Sequence, residues 1–170
     1  MFCGFEDDAL CGFEENNSNS LSDIWWGRSN VAVLPSGLSL IDHTCGSERG
    51  YFLHIASSSP ERGRYRGQKT FIASPYYFGM DSHCVSFFYY MVGYNVGTLN
   101  VYTHTKDSGP TPKWSAYGNQ GTFWTKANID VPGELTRFGY KIVFETILDL
   151  GAFADIGIDD VRVAGGECGL

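Results

Sequence analysis

The chain has 170 residues, 43% hydrophobic and 18% charged, which is long enough for a packed core and too apolar for a disordered tail. Its 12 basic and 19 acidic residues leave a formal charge of −7, which argues against a general nucleic-acid or anionic-membrane binder, since both need a basic surface. No run of about 18 apolar residues occurs, so no membrane-inserting helix is expected.

Aromatic residues reach 15% and glycines number 21, a profile of many short strands broken by turns rather than of a helical bundle. At the amino end, Met1-Phe2-Cys3-Gly4 has neither the positive n-region nor the apolar h-region of a signal peptide. The expectation is one domain over residues 1–170, excised from a larger extracellular or membrane-anchored protein. Asn16-Asn17-Ser18 is a glycosylation sequon in a polar stretch, which makes Asn16 a candidate glycan acceptor.

Strand candidates follow closely from residue 51 onward, at 51–56, 70–73, 84–92, 98–105, 122–129, 138–146 and 154–163. Phe138, Tyr140, Ile142 and Phe144 alternate with residues that include Lys141 and Glu145, the period of a strand with one buried face. Leu99 and Val101 take one face of their strand, Asn100 and His104 the other. The run from Cys84 to Met91 is apolar or aromatic on both sides, as expected of a strand covered on both faces. Glycine- and proline-bearing turns separate these runs, residues 57–68 read as a loop, and no window carries a helical stripe. The predicted fold is all-β, an antiparallel β-sandwich of jelly-roll type.

Regular alternation in the last strand places Asp159 with Val161 and Val163, and Ile158 with Asp160 and Arg162. Val161 and Val163 belong in the core, so Asp159 brings a carboxylate to its edge, which is costly unless a charge or several donors compensate. A hard cation held by oxygen ligands does so, and Ca²⁺ in a structural role is the expected ion. Glu6 is the strongest partner for Asp159, with Asp8 and Asp42 as further metal candidates. The alternative is that these acids lie in solvated turns, or that backbone amides satisfy Asp159.

The five cysteines include no Cys-x-x-Cys pair, so a disulfide-bearing extracellular domain with one cysteine left over is the better reading. Pairing Cys3 with Cys11 and Cys84 with Cys168 leaves Cys45 odd, although other pairings are open. Cys45 lies in a loop-like stretch and is a candidate for an intermolecular disulfide, hence a disulfide-linked homodimer, or for a buried thiol. Arg62, Arg64 and Arg66 form a local basic cluster suited to contacting an acidic partner, a sulfated glycan or a phosphate, or else a solvated loop. His-Glu-x-x-His, nucleophile-elbow and phosphate-loop patterns are absent, and no catalytic site is read. Trp25, Trp26, Trp114 and Trp124, with Tyr76, Tyr77 and Phe78, make a sugar-stacking platform if exposed and core packing if not.

Several segments, in order, resemble the MAM module of meprins, neuropilins and receptor-type tyrosine phosphatases. They are Cys3-Gly4-Phe5-Glu6, Leu10-Cys11-Gly12-Phe13, Asp42-His43-Thr44 with Gly50-Tyr51, and Ala73-Ser74-Pro75. Then come Cys84 to Gly93, Gly97 to Val101, Gly118-Asn119-Gln120-Gly121 with Trp124, Phe144-Glu145, Ile156 to Val161, and Cys168. The resemblance spans the whole chain. It implies a jelly-roll sandwich whose four family cysteines match Cys3, Cys11, Cys84 and Cys168, and a module that can carry a cation. It also implies a noncatalytic extracellular adhesion or oligomerisation module with protein partners, homophilic or heterophilic. The chain departs from the family pattern at Gly4 and Phe13, where Asp and Trp are common, and at the extra Cys45. A calcium-stabilised carbohydrate-binding jelly roll, with a glycan as partner, is the alternative function.

Overall fold

The computed structural model describes residues 1–15, 24, 26–33, 37, 39–56, 67–149 and 153–169. Among these, the early strands are β1 (Phe2–Cys3), β2 (Glu14–Glu15), β3 (Gly27–Ser29), β4 (Val31–Val33) and β5 (Ser39–Ile41). The longer ones are β6 (Phe52–Ala56), β7 (Lys69–Ala73), β8 (His83–Tyr94), β9 (Thr98–His104), β10 (Thr111–Tyr117), β11 (Gly121–Val131), β12 (Lys141–Ile147) and β13 (Phe153–Gly165). A short helix, α1 (Gly133–Phe138), joins β11 to β12. Asn16, Trp25, Arg62, Arg64 and Arg66, and most of the expected 57–68 loop, lie outside the described residues.

All strand pairings are antiparallel. One sheet runs β11–β8–β13–β6–β3 with β1 added to β13; the other runs β10–β9–β12–β7–β2. The sheets face each other as a β-sandwich of the expected jelly-roll type. Alternation supplies the shared core. Val85, Phe87 and Met91 of β8 and Ile156, Ile158, Val161 and Val163 of β13 meet Leu99, Val101, Ile142, Phe144 and Ile72 of the second sheet. The Phe87 and Phe144 rings join the layers edge to face, with centroids 5.1 Å apart, a geometry the ring quadrupoles favour.

The two-sided apolar character of β8 has a local cause. Its outward residues Tyr90 and Val92 form a second cluster with Phe52 of β6, covered by Ala32 and Leu40 of the separate β4–β5 hairpin. Trp124 packs on the same cluster and donates its Nε1–H to the Ile41 carbonyl at 2.9 Å.

One strand goes beyond the sequence reading, and two expectations are corrected. Strand β10 does not stand out in the sequence, because a register shift between Pro112 and Trp114 breaks its alternation. Phe138 does not share the Tyr140 face: it ends α1 and is 72% exposed, and β12 begins at Lys141. β13 is not regular, since its register against β8 shifts between Asp159 and Arg162 and Asp160 takes a φ of 49°. The bulge puts Ile158, not Asp159, on the core face with Val161. Asp159 faces outward beside its cross-strand partner Phe88.

Cys3 bonds Cys11, and Cys84 bonds Cys168.

Candidate cation site

The site is built where an amino-terminal turn, the loop after β5 and the β13 bulge meet over the outer face of the first sheet. The Cys3–Cys11 bond closes a tight turn in which Phe5, Leu10 and Cys11 all take positive φ. Phe5 is fully buried and packs edge to face on Phe13 at 5.4 Å, so the next residue, Glu6, is held at the surface. Arg28 of β3 clamps this turn from outside. Its Nε–H donates to the Phe5 carbonyl at 2.9 Å, one Nη to the Glu6 carbonyl at 2.5 Å, and the other to Asp8 at 2.7 Å. Its guanidinium also lies 3.5 Å over the Tyr51 ring.

The loop after β5 lies across the sheet by stacking. The His43 ring sits 3.6 Å from the Phe88 ring, and His43 Nδ1 is 2.5 Å from Asp160 Oδ2. Thr44 Oγ1 donates to the other Asp160 oxygen at 2.6 Å. The two carboxylates below are held by backbone. Asp159 accepts from the His43 N–H at 3.0 Å and from the Asp160 N–H at 2.7 Å, while Asp42 accepts from the amides of Thr44 and Cys45.

Asp42 and Asp159 are 1% and 0% exposed and lie side by side within hydrogen-bonding reach. Burial, then the neighbouring Asp42, push the Asp159 carboxyl up to about 9. Burial and the Asp42 charge also raise Glu6. Cys45 is exposed and unpaired by disulfide, and desolvation together with the Glu6 and Asp42 charges holds its thiol above the usual value. Ligand atoms of Glu6, Asp42 and Cys45 all lie within 4.8 Å of one another.

The donors suit a cation. Two buried carboxylates touch each other, and the nearby guanidinium is spent on backbone carbonyls and Asp8. Gly50 shows how closely the loop wraps them: a Cβ there would stand 2.1 Å from Asp42 Oδ2. The structure thus brings Glu6, Asp42 and Cys45 into ligand range, with Asp159 behind them. Asp8 does not join them; its side chain is 96% exposed and paired with Arg28. Sequence reasoning missed Cys45 as a candidate donor, Asp160 and His43 as supports, and Arg28 as the clamp. The neighbouring Asp42-His43-Thr44-Cys45 run was the available signal, but only the fold brings it to β13. A cleft of about 430 Å³ adjoins the site, bounded by Leu40, His43, Phe123 and Trp124.

A family description, the MAM domain (meprin/A5/mu), matches residues 3–169. This chain belongs to the MAM domain family. Mouse MAM domain-containing glycosylphosphatidylinositol anchor protein 2 is 34% identical over 98% of the chain, and human MAM domain-containing protein 2 is 33% identical over 98%. The chain spans 18% and 23% of those two relatives, so it corresponds to one part of much longer proteins. Among solved structures, the K1 cleaved adhesin domain of Lys-gingipain from Porphyromonas gingivalis W83 superposes with a TM-score of 0.70 at 10% identity, covering 98% of both chains. A β-sandwich carbohydrate-binding module gives 0.58 at 15% identity over 95% of this chain and 60% of that one. Both likenesses concern the fold.

Two of the departures of this MAM domain from the family pattern have local reasons. A Cβ at Gly4 would lie 2.5 Å from Thr44 Oγ1, the hydroxyl that binds Asp160, so glycine here lets the loop close. Phe13 is 4% exposed and fills its place between Phe5 and Phe144, with ring centroids 6.4 Å from the latter.

Proposed function

We propose that this MAM domain is a noncatalytic extracellular module that associates with other proteins, with a second copy or a distinct partner, and that a bound cation stiffens its amino-terminal edge. Relatives named as glycosylphosphatidylinositol anchor proteins support an ectodomain in a membrane-tethered parent. Large side chains left exposed at the sandwich ends and on β11, including Tyr94, Tyr117 and Phe123, are the kind of anchors such interfaces use.

The observation that carries the cation reading is the Asp42–Asp159 pair, two buried carboxylates in contact beneath Glu6 and Cys45. Glu6, Asp42 and Asp159 supply hard oxygen donors for Ca²⁺. Cys45 adds a thiol that favours softer ions such as Zn²⁺ or Cd²⁺. A bound cation supplies positive charge that keeps the carboxylates ionised; the chain's part is to hold them in place through the amides of His43, Thr44, Cys45 and Asp160.

In an oxidising extracellular or secretory compartment two Cys45 thiols can instead give up two protons and two electrons to a disulfide oxidant, which is reduced to its dithiol, and join two copies through a Cys45–Cys45 disulfide; the two fates compete. The test is the mass of the domain secreted from eukaryotic cells, with and without reductant and with and without EDTA. The expected result is a monomer–dimer mixture whose covalent part grows when EDTA frees Cys45 and vanishes in Cys45→Ser. A strict monomer in every condition, also after addition of Ca²⁺ or Zn²⁺, overturns self-association and leaves a distinct partner. The carbohydrate reading loses most of its tryptophan platform, since Trp26 is buried and Trp114 packs on Phe87 and Tyr89.

A further inference from the structure

We infer that the outer face of the second sheet, around Tyr76, binds a sulfated glycan chain. This rests on neither the cation nor the protein-association reading.

His104 of β9 and Lys141 of β12 are cross-strand partners. Each is flanked along the chain by buried residues, Thr103 and Thr105 for His104, Tyr140 and Ile142 for Lys141, so both point outward. Lys141 Nζ lies 4.9 Å from the centre of the Tyr76 ring, and Lys106 Nζ approaches the same ring at 5.4 Å. Among the described residues no carboxylate is within ion-pairing distance of either ammonium. Two like charges therefore converge on one ring, no farther apart than about one Debye length. The ring quadrupole offsets part of their repulsion. On a chain of net charge −7 these two ammoniums thus present positive charge without a direct ion-pair partner among the described residues, although the exposed Asp107 follows Lys106 in the chain.

The apolar part of the site is alongside. The Phe78 ring is 61% exposed and lies 6.3 Å from Tyr76, tilted by 36°. Neighbouring aromatic faces suit the C–H faces of pyranose rings, and lysine ammoniums, as compact point charges, suit sulfate groups. The backbone argues against an acidic peptide that binds by strand addition. β9 is paired on both sides by β10 and β12, and β12 by β9 and β7, so no free strand edge is offered to a peptide here. The ligand must be gripped by side chains alone.

The test is calorimetric titration with a heparin-derived octasaccharide at low salt, repeated with its desulfated form and with a poly-glutamate peptide. The proteins are the wild type, the Lys106→Ala/Lys141→Ala double variant and Tyr76→Ala, each checked for an unchanged melting temperature. The expected result is sulfation-dependent binding that weakens about tenfold or more in the double variant. The slope of log affinity against log salt should fall by about one for each lysine removed. No binding of the octasaccharide, or equal binding of the desulfated form, overturns the inference. Full retention in the double variant also overturns it. Preference for poly-glutamate replaces the glycan with an acidic protein.

Discussion

Glu6 is the residue whose substitution separates the cation from the fold. It is surface-exposed, while the carboxylates below it are held by backbone amides, so Glu6→Gln removes the charge of a proposed ligand and leaves the loops anchored. Ca²⁺ at a hundredfold excess over its Kd stabilises a binding-competent domain by about 2.7 kcal/mol, a melting shift on the order of 5–10 °C at this size. Differential scanning calorimetry should find that shift in the wild type and most of it gone in Glu6→Gln; an equal shift in both would exclude Glu6 as a ligand. Cys45→Ser should lower Cd²⁺ affinity by about tenfold while changing Ca²⁺ affinity little, because only the soft ion gains from a thiolate. Calorimetric titration with each ion checks this. Asp159 adds a pH signature. Its folded carboxyl is raised from 3.8 to about 9, so the folded state holds the proton more tightly than the unfolded one. That contribution to stability is complete below about pH 4 and is lost as pH rises towards 9. In EDTA the melting temperature should fall across this window, and the gain from added Ca²⁺ should grow with pH as the proton is displaced. A Ca²⁺ gain that is constant with pH would mean that Asp159 does not respond to the ion.

At the scale of elements, the β13 bulge and the β4–β5 hairpin decide what the sequence could reveal. Long strands such as β8, β9 and β12 were legible because one or both faces are continuously apolar. Asp159 drew notice for a reason the structure alters. Strict alternation set it beside Val161, whereas the extra residue at Asp160 turns it to the outer face, where the loop after β5 buries it. A bulge leaves no periodic trace, so its effect on facing could not be read. The strands from β1 to β5 are two or three residues long, too short for periodicity, and they are defined by what they cover. Leu40 illustrates this. Its position in a short strand says little, yet it is 7% exposed over Tyr90 and Phe52. Leu40→Ala should cost about 2–3 kcal/mol through the cavity it opens. Urea unfolding measures that loss. Trp124 emission should also shift to the red before global unfolding, because its Ile41 hydrogen bond belongs to the same hairpin. A substitution that leaves both unchanged would mean that the hairpin does not seal the cluster.

Across the whole molecule, the two disulfides act on different things. Cys84 opens β8 and Cys168 follows β13, so their bond ties two adjacent long strands across 84 residues of chain. Loop-closure entropy makes such a bond worth about 4.5 kcal/mol, against about 2.5 kcal/mol for the 8-residue separation of Cys3 and Cys11. If stability were their only role, removing the longer bridge would be the more damaging change in every respect. The proposed cation site reverses that order for ion binding. The Cys3–Cys11 turn is what presents Glu6, with Phe5 buried beneath it and Arg28 outside, whereas the Cys84–Cys168 bond lies at the other ends of β8 and β13, away from the proposed ligands. The double variant Cys84→Ser/Cys168→Ser should therefore unfold at markedly lower urea yet retain its Ca²⁺-induced melting shift. Cys3→Ser/Cys11→Ser should lose less stability and most of that shift, because Glu6 is no longer fixed relative to Asp42. Urea midpoints and melting curves with and without Ca²⁺ on the same two proteins decide the matter. A Ca²⁺ response that tracks residual stability, rather than the amino-terminal turn, would place the ion elsewhere on the molecule.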